Sequence, residues 1–532
     1  MGVKKYYATK DTTITNAFKS DLTTRGSGSN MGQSDILEVF SIYGQTYFSS
    51  SASSQTLTSE LSRVLIEFPV SGSALGQIKG DRTAGVIPAS GSMHFYLRMY
   101  NAKHGQTLPD NITFNIQAVS SSWDEGRGLD MEEYKDKDTV NWMARTSSVD
   151  GVAIWNQPGG DYRTGSYIAG TTLPAYTKAL TNGYDDLEVE VTSMVEEWIA
   201  GSAAAFRQNY GFGVYLVPGQ EAYYSSSVSP LADTNGVPHN LAGPQESYYT
   251  KKFFGRGSEF FFKRPVLEAR WDSAKKDDRG NFYFSSSLAP ADDNLNSLYM
   301  YNFVRGQLQD IGGDDSALPV LKIYGGTATA PNTTQLTLKH SSTDDDITSV
   351  AATRIEKGIY SASFAISSSV DTTYLWDVWE VSSTQVHTGT VITPLDYGSS
   401  DYNPYAKCVS KITNLKPEYN TKETARFRLF VRDKDWSPTI YTKAYSTVQN
   451  KIVENAYYKI FRVYDKLDVV NYGTASTTQH TRLSHDVSGN YFDLDMSMLE
   501  EDYMYGIKFL YRINDVYQEQ PETFRFRVIE EV

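Results

Sequence analysis

Apolar and polar positions alternate along most of this chain. Ile36–Ile42 sets Ile36, Phe40 and Ile42 on one side with Glu38, and Leu37 and Val39 on the other. That period of two is the signature of an extended strand, whose side chains point alternately to opposite faces. The same period runs through Arg63–Val70, Met93–Tyr100, Ile112–Val119 and Tyr210–Val217. One stretch departs from it. Leu187–Val191 alternates apolar and acidic, and then Met194, Val195, Trp198 and Ile199 fall on one face of a helix. The spacing predicts a short helix over Thr192–Ala200, capped by the side-chain oxygen of Thr192 or Ser193 and ended by Gly201. A lone amphipathic helix among strands predicts a lid on one end of a β-sandwich. Acidic side chains over Asp185–Glu190 would also guard a sheet edge against stray pairing.

The rest of the chain extends the pattern. Residues 1–273 read as one large β domain with many short strands and turn signals, a sandwich or jelly roll. Residues 274–316 read as a junction. Residues 317–415 read as a small sandwich, with strands at Leu318–Tyr324, Gly358–Ser367, Thr373–Val381 and Ala406–Ile412, patterned like immunoglobulin or fibronectin domains. Residues 416–532 form a third β unit around Glu423–Val431, Tyr457–Tyr464 and Tyr505–Ile513, with hairpin turns at Val487–Asn490 and Ile513–Val516. The expectation is an all-β, multi-domain chain: an N-terminal β-sandwich with one short helix, then two smaller sandwiches.

Composition narrows the function classes. Of 532 residues, 40% are hydrophobic and 21% charged, which describes a globular chain and excludes a disordered one. The 38 tyrosines suit half-buried strands and contact surfaces. A net charge of −14 argues against nucleic acid, because such binding needs a basic face to displace counterions. The local basic pairs Lys251-Lys252 and Lys263-Arg264 read as solvated strand ends. One cysteine, Cys408, excludes an internal disulfide frame and a thiolate zinc site. Met1–Tyr7 lacks an apolar h-region, and no apolar run reaches the roughly 18 residues a membrane span needs. The expectation is a protein folded in a cytosol, with the composition of an exterior module.

The first half also resembles a known family. In order along the chain stand LEV (Leu37–Val39), SRVLIEF (Ser62–Phe68), HFYLRMY (His94–Tyr100), AVSSSWDEG (Ala118–Gly126) and VNW (Val140–Trp142). LEVEVTSMVEEWIAG (Leu187–Gly201), YGFGVYL and RPVLEARW (Arg264–Trp271) follow. This series resembles the DNRLRE module, a disaggregatase-related β-sandwich. The resemblance implies a sandwich and a surface or adhesive role, not a reaction, and it places the Trp-Asp-Glu loop in the fold pattern. Long insertions at Gly44–Ser59, Asp150–Thr181 and Gln220–Glu246 depart from it. The second and third units together resemble C-terminal segments of structural proteins of tailed phages.

Candidate chemistry is sparse. Trp123, Asp124 and Glu125, with Asp130, Glu132 and Glu133 beyond, form the best acidic cluster, and Trp155 is a second aromatic on a loop. A tryptophan beside carboxylates can stack a sugar, and two carboxylates can hydrolyse a glycosidic bond. The competing reading is that Trp123 plugs the sandwich end and the acids are solvated. Asp344–Asp346 and Asp310–Asp315 could hold a hard cation through oxygen, but EF-hand spacing is absent. His480 and His485 could meet across a turn, without the spacing of a zinc motif. No nucleophile elbow, phosphate loop or dinucleotide loop is present. No cofactor and no metal are therefore expected.

Together these point to a non-enzymatic structural protein of a tailed-phage virion, assembled in the host cytoplasm and then exposed on the particle as decoration, neck or tail. Its expected partners are other virion proteins and copies of itself, since virion parts obey closed symmetry. A carbohydrate-binding adhesin contacting a host-surface glycan through Trp123, Asp124, Glu125 or Trp155 is the alternative.

Overall fold

A computed structural model describes residues 2–46, 56–57, 59–105, 110–132, 139–148, 151–163, 175–201, 208–224, 236–287, 289–313, 317–339, 346–367, 369–370, 372–395, 406–434, 450–475 and 478–530. The chain is all-β, and it divides into two compact units, Val3–Trp271 and Asp272–Val532.

Two antiparallel sheets build Val3–Trp271. The four-stranded sheet runs in the order Val3–Tyr7, Val266–Arg270, His94–Met99, Leu187–Glu190. The seven-stranded sheet runs Tyr176–Leu180, Ile112–Ala118, Phe212–Leu216, Glu60–Glu67, Ile36–Ile42, Tyr248–Phe254, and Lys10–Thr15 also pairs with Glu60–Glu67. Inward-facing Phe95, Leu97, Val64, Ile66, Ile116 and Val214 fill the space between them. Alternation makes this inevitable, because each strand offers one apolar face and burying it is the main driving force.

The helix forms over Thr192–Ala200 (α2), and its Met194, Val195, Trp198 and Ile199 enter this core. It carries the chain from the four-stranded sheet to Phe212 in the seven-stranded one, closing the space between them. The expected side-chain cap does not form. Thr192 Oγ1 instead accepts the Phe95 N–H and donates to Glu190, and the Met194 N–H is taken by the Tyr176 hydroxyl at 3.1 Å. Gly201 ends the helix at φ +48°. A second helix, Ile78–Thr83 (α1), escaped the periodicity because only Ile78 in it is apolar. Its anchor is polar: buried Asp81 accepts the Tyr6 hydroxyl and the Gly76 N–H, both at 2.8 Å, and pairs with Lys4 at 2.9 Å.

The acidic edge is also more than a guard. Glu188 pairs across the sheet with Arg98 and Arg270, which share the buried Glu268, and Lys5 approaches Glu268 to 3.6 Å. Burial lowers Lys5 to a pKa of about 8, while the three surrounding cations hold Glu268 far below the usual carboxylate range despite its own burial.

Within Asp272–Val532 there are two sandwiches. In the first, Asn296–Tyr301, Ile359–Phe364 and Thr353–Glu356 face a sheet ordered Pro331–Gln335, Val320–Gly326, Leu375–Val381, Thr384–Thr388. In the second, Cys408–Ile412, Thr424–Asp433, Gly489–Asp495 and Ser484–Asp486 face a sheet centred on Met504–Ile513, flanked by Ala456–Arg462 and Phe524–Ile529. Stacked Tyr458 and Phe492, 4.2 Å apart, join its two faces.

Two expected boundaries move. The stretch 274–316 is not a junction: Asn296–Tyr301 pairs along its whole length with Ile359–Phe364, and Leu298 and Met300 enter the core. Cys408–Ile412 does not belong to the 317–415 unit, because its partner is Thr424–Asp433 in the last sandwich. Both reassignments are matters of strand pairing, which periodicity does not specify. The hairpin Ile513–Val516 forms as its residues dictate, with Asn514 and Asp515 at φ +50° and +61°.

Candidate functional site

Trp123, Asp124, Glu125 and Trp155 come together in Val3–Trp271, but not as a binding surface. The strand Glu60–Glu67 is buried on both faces. Val64 and Ile66 face the main core; Leu61 and Leu65 face a second apolar layer made from Ile14, Val119, Val140, Trp123, Trp142 and Trp155. The loops expected to present aromatic rings thus fold back over the outer face of the seven-stranded sheet.

Trp123 is 1% exposed and Trp155 0%, so neither ring offers a face to a sugar. Each indole N–H is satisfied internally. Trp123 donates to the Tyr210 carbonyl at 2.9 Å, Trp155 to that of Asn141 at 3.0 Å, and Trp142 to that of Gly236 at 2.6 Å. The expected stacking platforms are core residues. Even the plug reading needs correction, because Trp123 covers a sheet face and not the open end of the sandwich.

The two carboxylates part company. Asp124 is exposed, and its backbone is tied to Arg145 and Val140. Glu125 is half-buried and fully engaged. Its Oε1 accepts from the Asp11 N–H (2.8 Å) and Arg256 Nε (3.0 Å), and its Oε2 from Arg256 Nη2 (2.6 Å). A bidentate guanidinium of this kind fixes a carboxylate in place, which is the opposite of what a proton-transferring acid needs. The turn beneath is fitted around Asn30, whose Nδ2 donates to the Glu125 and Val140 carbonyls and whose Oδ1 accepts from Gly32 and Gly128. Gly126 sits at φ +78°, where a Cβ would collide with that Oδ1.

Asp11 completes the cluster. Its Oδ2 accepts the Arg256 N–H at 2.5 Å, yet burial outweighs that bond and pushes its pKa up to about 7. The folded state therefore holds this proton more tightly than the unfolded chain. Stability from this group is present at low pH and is lost as pH rises from about 4 through about 7, a term of at most about 4 kcal/mol for roughly three units. Asp11→Asn is expected to raise stability at pH 8 and to flatten the dependence below pH 7, since an amide oxygen can still accept from Arg256. Denaturant titrations at both pH values check this; equal destabilisation at both would mean that the carboxylate is ionised throughout.

Beside this cluster lies a cavity of ≈ 300 Å³ lined by Tyr7, Ala8, Thr9, Arg256 and Arg264. It sits at the corner where the chain leaves one sheet at Tyr7 and enters the other at Lys10. The Ala8 N–H donates to the Pro265 carbonyl and the Thr9 N–H to that of Glu67, which holds the corner open.

The other candidates are described only in part. Asp310 is clamped by Arg354 through two bonds of 2.9 Å and accepts the Gly358 N–H, while Asp314 and Asp315, like Asp344 and Asp345, lie outside the described residues. His485 contacts Asp278 at 3.0 Å, and no group of metal-ligating side chains occurs among the described residues. Lys251 is not a solvated strand end. It is fully buried, and its Nζ donates to Asn101 Oδ1 and to the carbonyls of Gly183 and Asp185, each at 2.7 Å. Burial lowers its pKa to about 8.

No family model matches the chain, and no curated protein matches it. Among solved structures, the N-terminal Ig1-2 module of the Drosophila receptor protein tyrosine phosphatase DLAR aligns at 10% identity, covering 45% of this chain and 91% of that one, with a TM-score of 0.13. The titin domains Z1Z2, solved in complex with telethonin, align at 10% identity over 45% of this chain and 90% of theirs, with a TM-score of 0.13. A DUF4785 family protein from Legionella pneumophila covers 93% of this chain and 90% of its own at 8% identity, with a TM-score of 0.12. At such scores the all-β assignment rests on the strand pairing itself.

Proposed function

We propose that this chain is a non-enzymatic structural protein of a tailed-phage particle, exposed on its exterior and working through protein–protein contacts, including contacts with copies of itself. The observation that carries the reading is the commitment of the Trp123–Gly126 loop to the fold. Its ring is covered, its Glu125 is clamped by Arg256, and its glycine is held against Asn30. The most chemical-looking stretch of the chain is spent on building a domain, as the DNRLRE resemblance implies. Serial sandwiches suit an exposed spacer or decoration, because each presents broad strand faces and several loops to neighbours. No helix among the described residues is long and apolar enough to cross a membrane.

The test is location. An antibody to the full chain should label purified particles at regular positions, and the protein should co-purify with them in fixed stoichiometry. Its absence from particles, with saturable binding of the isolated chain to cell-surface glycans, would transfer the role to an adhesin.

A further inference from the structure

We infer that the cavity between Tyr7 and Arg264 is a subsite for the carboxylate of an acidic sugar residue. The argument begins with charge. The chain as a whole carries −14 and repels anions, yet this corner gathers two guanidinium groups. They are not equivalent. Arg256 spends Nε and Nη2 on Glu125 and keeps its second amino group, Nη1. Arg264 donates Nε to the Ser258 carbonyl at 2.8 Å and faces the Phe261 ring at 5.5 Å, with no carboxylate partner among the described residues. The neighbouring Lys263 likewise rests over the Phe254 and Phe260 rings. The acids nearby are already engaged: Glu125 with Arg256, Glu67 with Lys10 at 3.1 Å, and Asp11 with the Arg256 N–H. Among the described residues Arg264 therefore lacks the carboxylate clamp that Arg256 has, and a planar fork of donors is the group that matches a carboxylate.

Size and wall select the rest of the ligand. A space of ≈ 300 Å³ accommodates one six-membered sugar ring, at the small end of ligand pockets. Tyr7 supplies an aromatic wall, held in place by its own ring contact with Phe261 at 4.7 Å. The apolar C–H face of a pyranose fits such a wall while its carboxylate meets Arg264, a combination that a bare inorganic anion does not use.

This inference does not depend on where the protein resides, and its test leaves particle location untouched. Glucuronate is titrated into the full chain by calorimetry or ligand-observed NMR, beside glucose, inorganic phosphate and N-acetylaspartate. Saturable glucuronate binding is expected, with glucose and phosphate weaker by about tenfold or more, and weakening as salt rises. Arg264→Gln should cut glucuronate affinity about tenfold while leaving the melting temperature near that of the parent. Arg264→Lys, which keeps charge but loses the fork, should fall between the two. Three results overturn the assignment: no saturable glucuronate binding, equal binding of glucose, or parental affinity in both Arg264 variants. Tighter binding of N-acetylaspartate than of glucuronate would reassign the pocket to a peptide carboxylate.

Discussion

Trp198→Ala is expected to destabilise the Val3–Trp271 unit by about 3–5 kcal/mol, the range for removing a large aromatic from a core that cannot collapse around the gap. The ring is 1% exposed and packs at 4.8 Å on Phe212 of the opposite sheet. Its neighbours Met194, Val195 and Ile199 sit on the same helix face and cannot shift into the space without unseating α2. The indole N–H is buried with no hydrogen-bond partner among the described residues, so Trp198→Phe sheds an unsatisfied donor as it loses volume. The phenylalanine variant should therefore be markedly less damaged than the alanine one. Thermal and denaturant unfolding of the three proteins checks the order. An alanine variant with an unchanged midpoint would mean that α2 does not close this core.

A comparable loss, about 3–5 kcal/mol, is expected for Glu221→Ala, through electrostatics and not volume. Glu221 pairs with Arg63 through two bonds, 2.9 Å to Nε and 2.7 Å to Nη2, and both residues are buried. Arg63 also donates to the Gly159 carbonyl and lies 4.7 Å over the Tyr215 ring and 5.5 Å from Trp142. Removing the carboxylate strands a guanidinium inside a ring of aromatics. Removing both charges, as in Arg63→Met with Glu221→Leu, leaves no orphan ion and should recover much of the loss. A double variant as unstable as Glu221→Ala would show that the packing of the arginine matters more than its charge. The pair also explains why the second apolar layer has a fixed register. Arg63 lies on the doubly buried strand and Glu221 on the covering segment, so their bond ties layer to sheet.

Much of the architecture was legible because it is local. Period-two runs located many of the strands of the first unit, and helical spacing placed α2 on the residues it occupies, since both follow from how side chains project from a regular backbone. The turn at Asn514-Asp515 was legible for the same reason: few residues tolerate two successive positive φ angles. The candidate site was legible only in part. The Trp-Asp-Glu loop was found, but nothing in its sequence told a stacking tryptophan from a core one. That difference lies in the outer face of the strand Glu60–Glu67, far away in the chain. Lys251 misled in the same way, because its three acceptors come from two distant loops. The cavity at Tyr7 and Arg264 left no motif, being assembled from two chain segments nearly a whole unit apart.

By itself, then, the sequence determined what the strongly periodic segments are, strand, helix or turn, and which face of each is apolar; α1 and the strands Val3–Tyr7 and Tyr176–Leu180 carried no such signal. Tertiary structure alone decided which segments pair and what covers them. It moved Asn296–Tyr301 into the second sandwich and Cys408–Ile412 into the third. It also buried Trp123 and Trp155 and turned Arg264 onto the Ser258 carbonyl, with no carboxylate partner among the described residues. The physical reason is one of range. Backbone geometry and side-chain period act over a few residues, whereas pairing, burial and charge compensation are settled between segments that only the folded chain brings together.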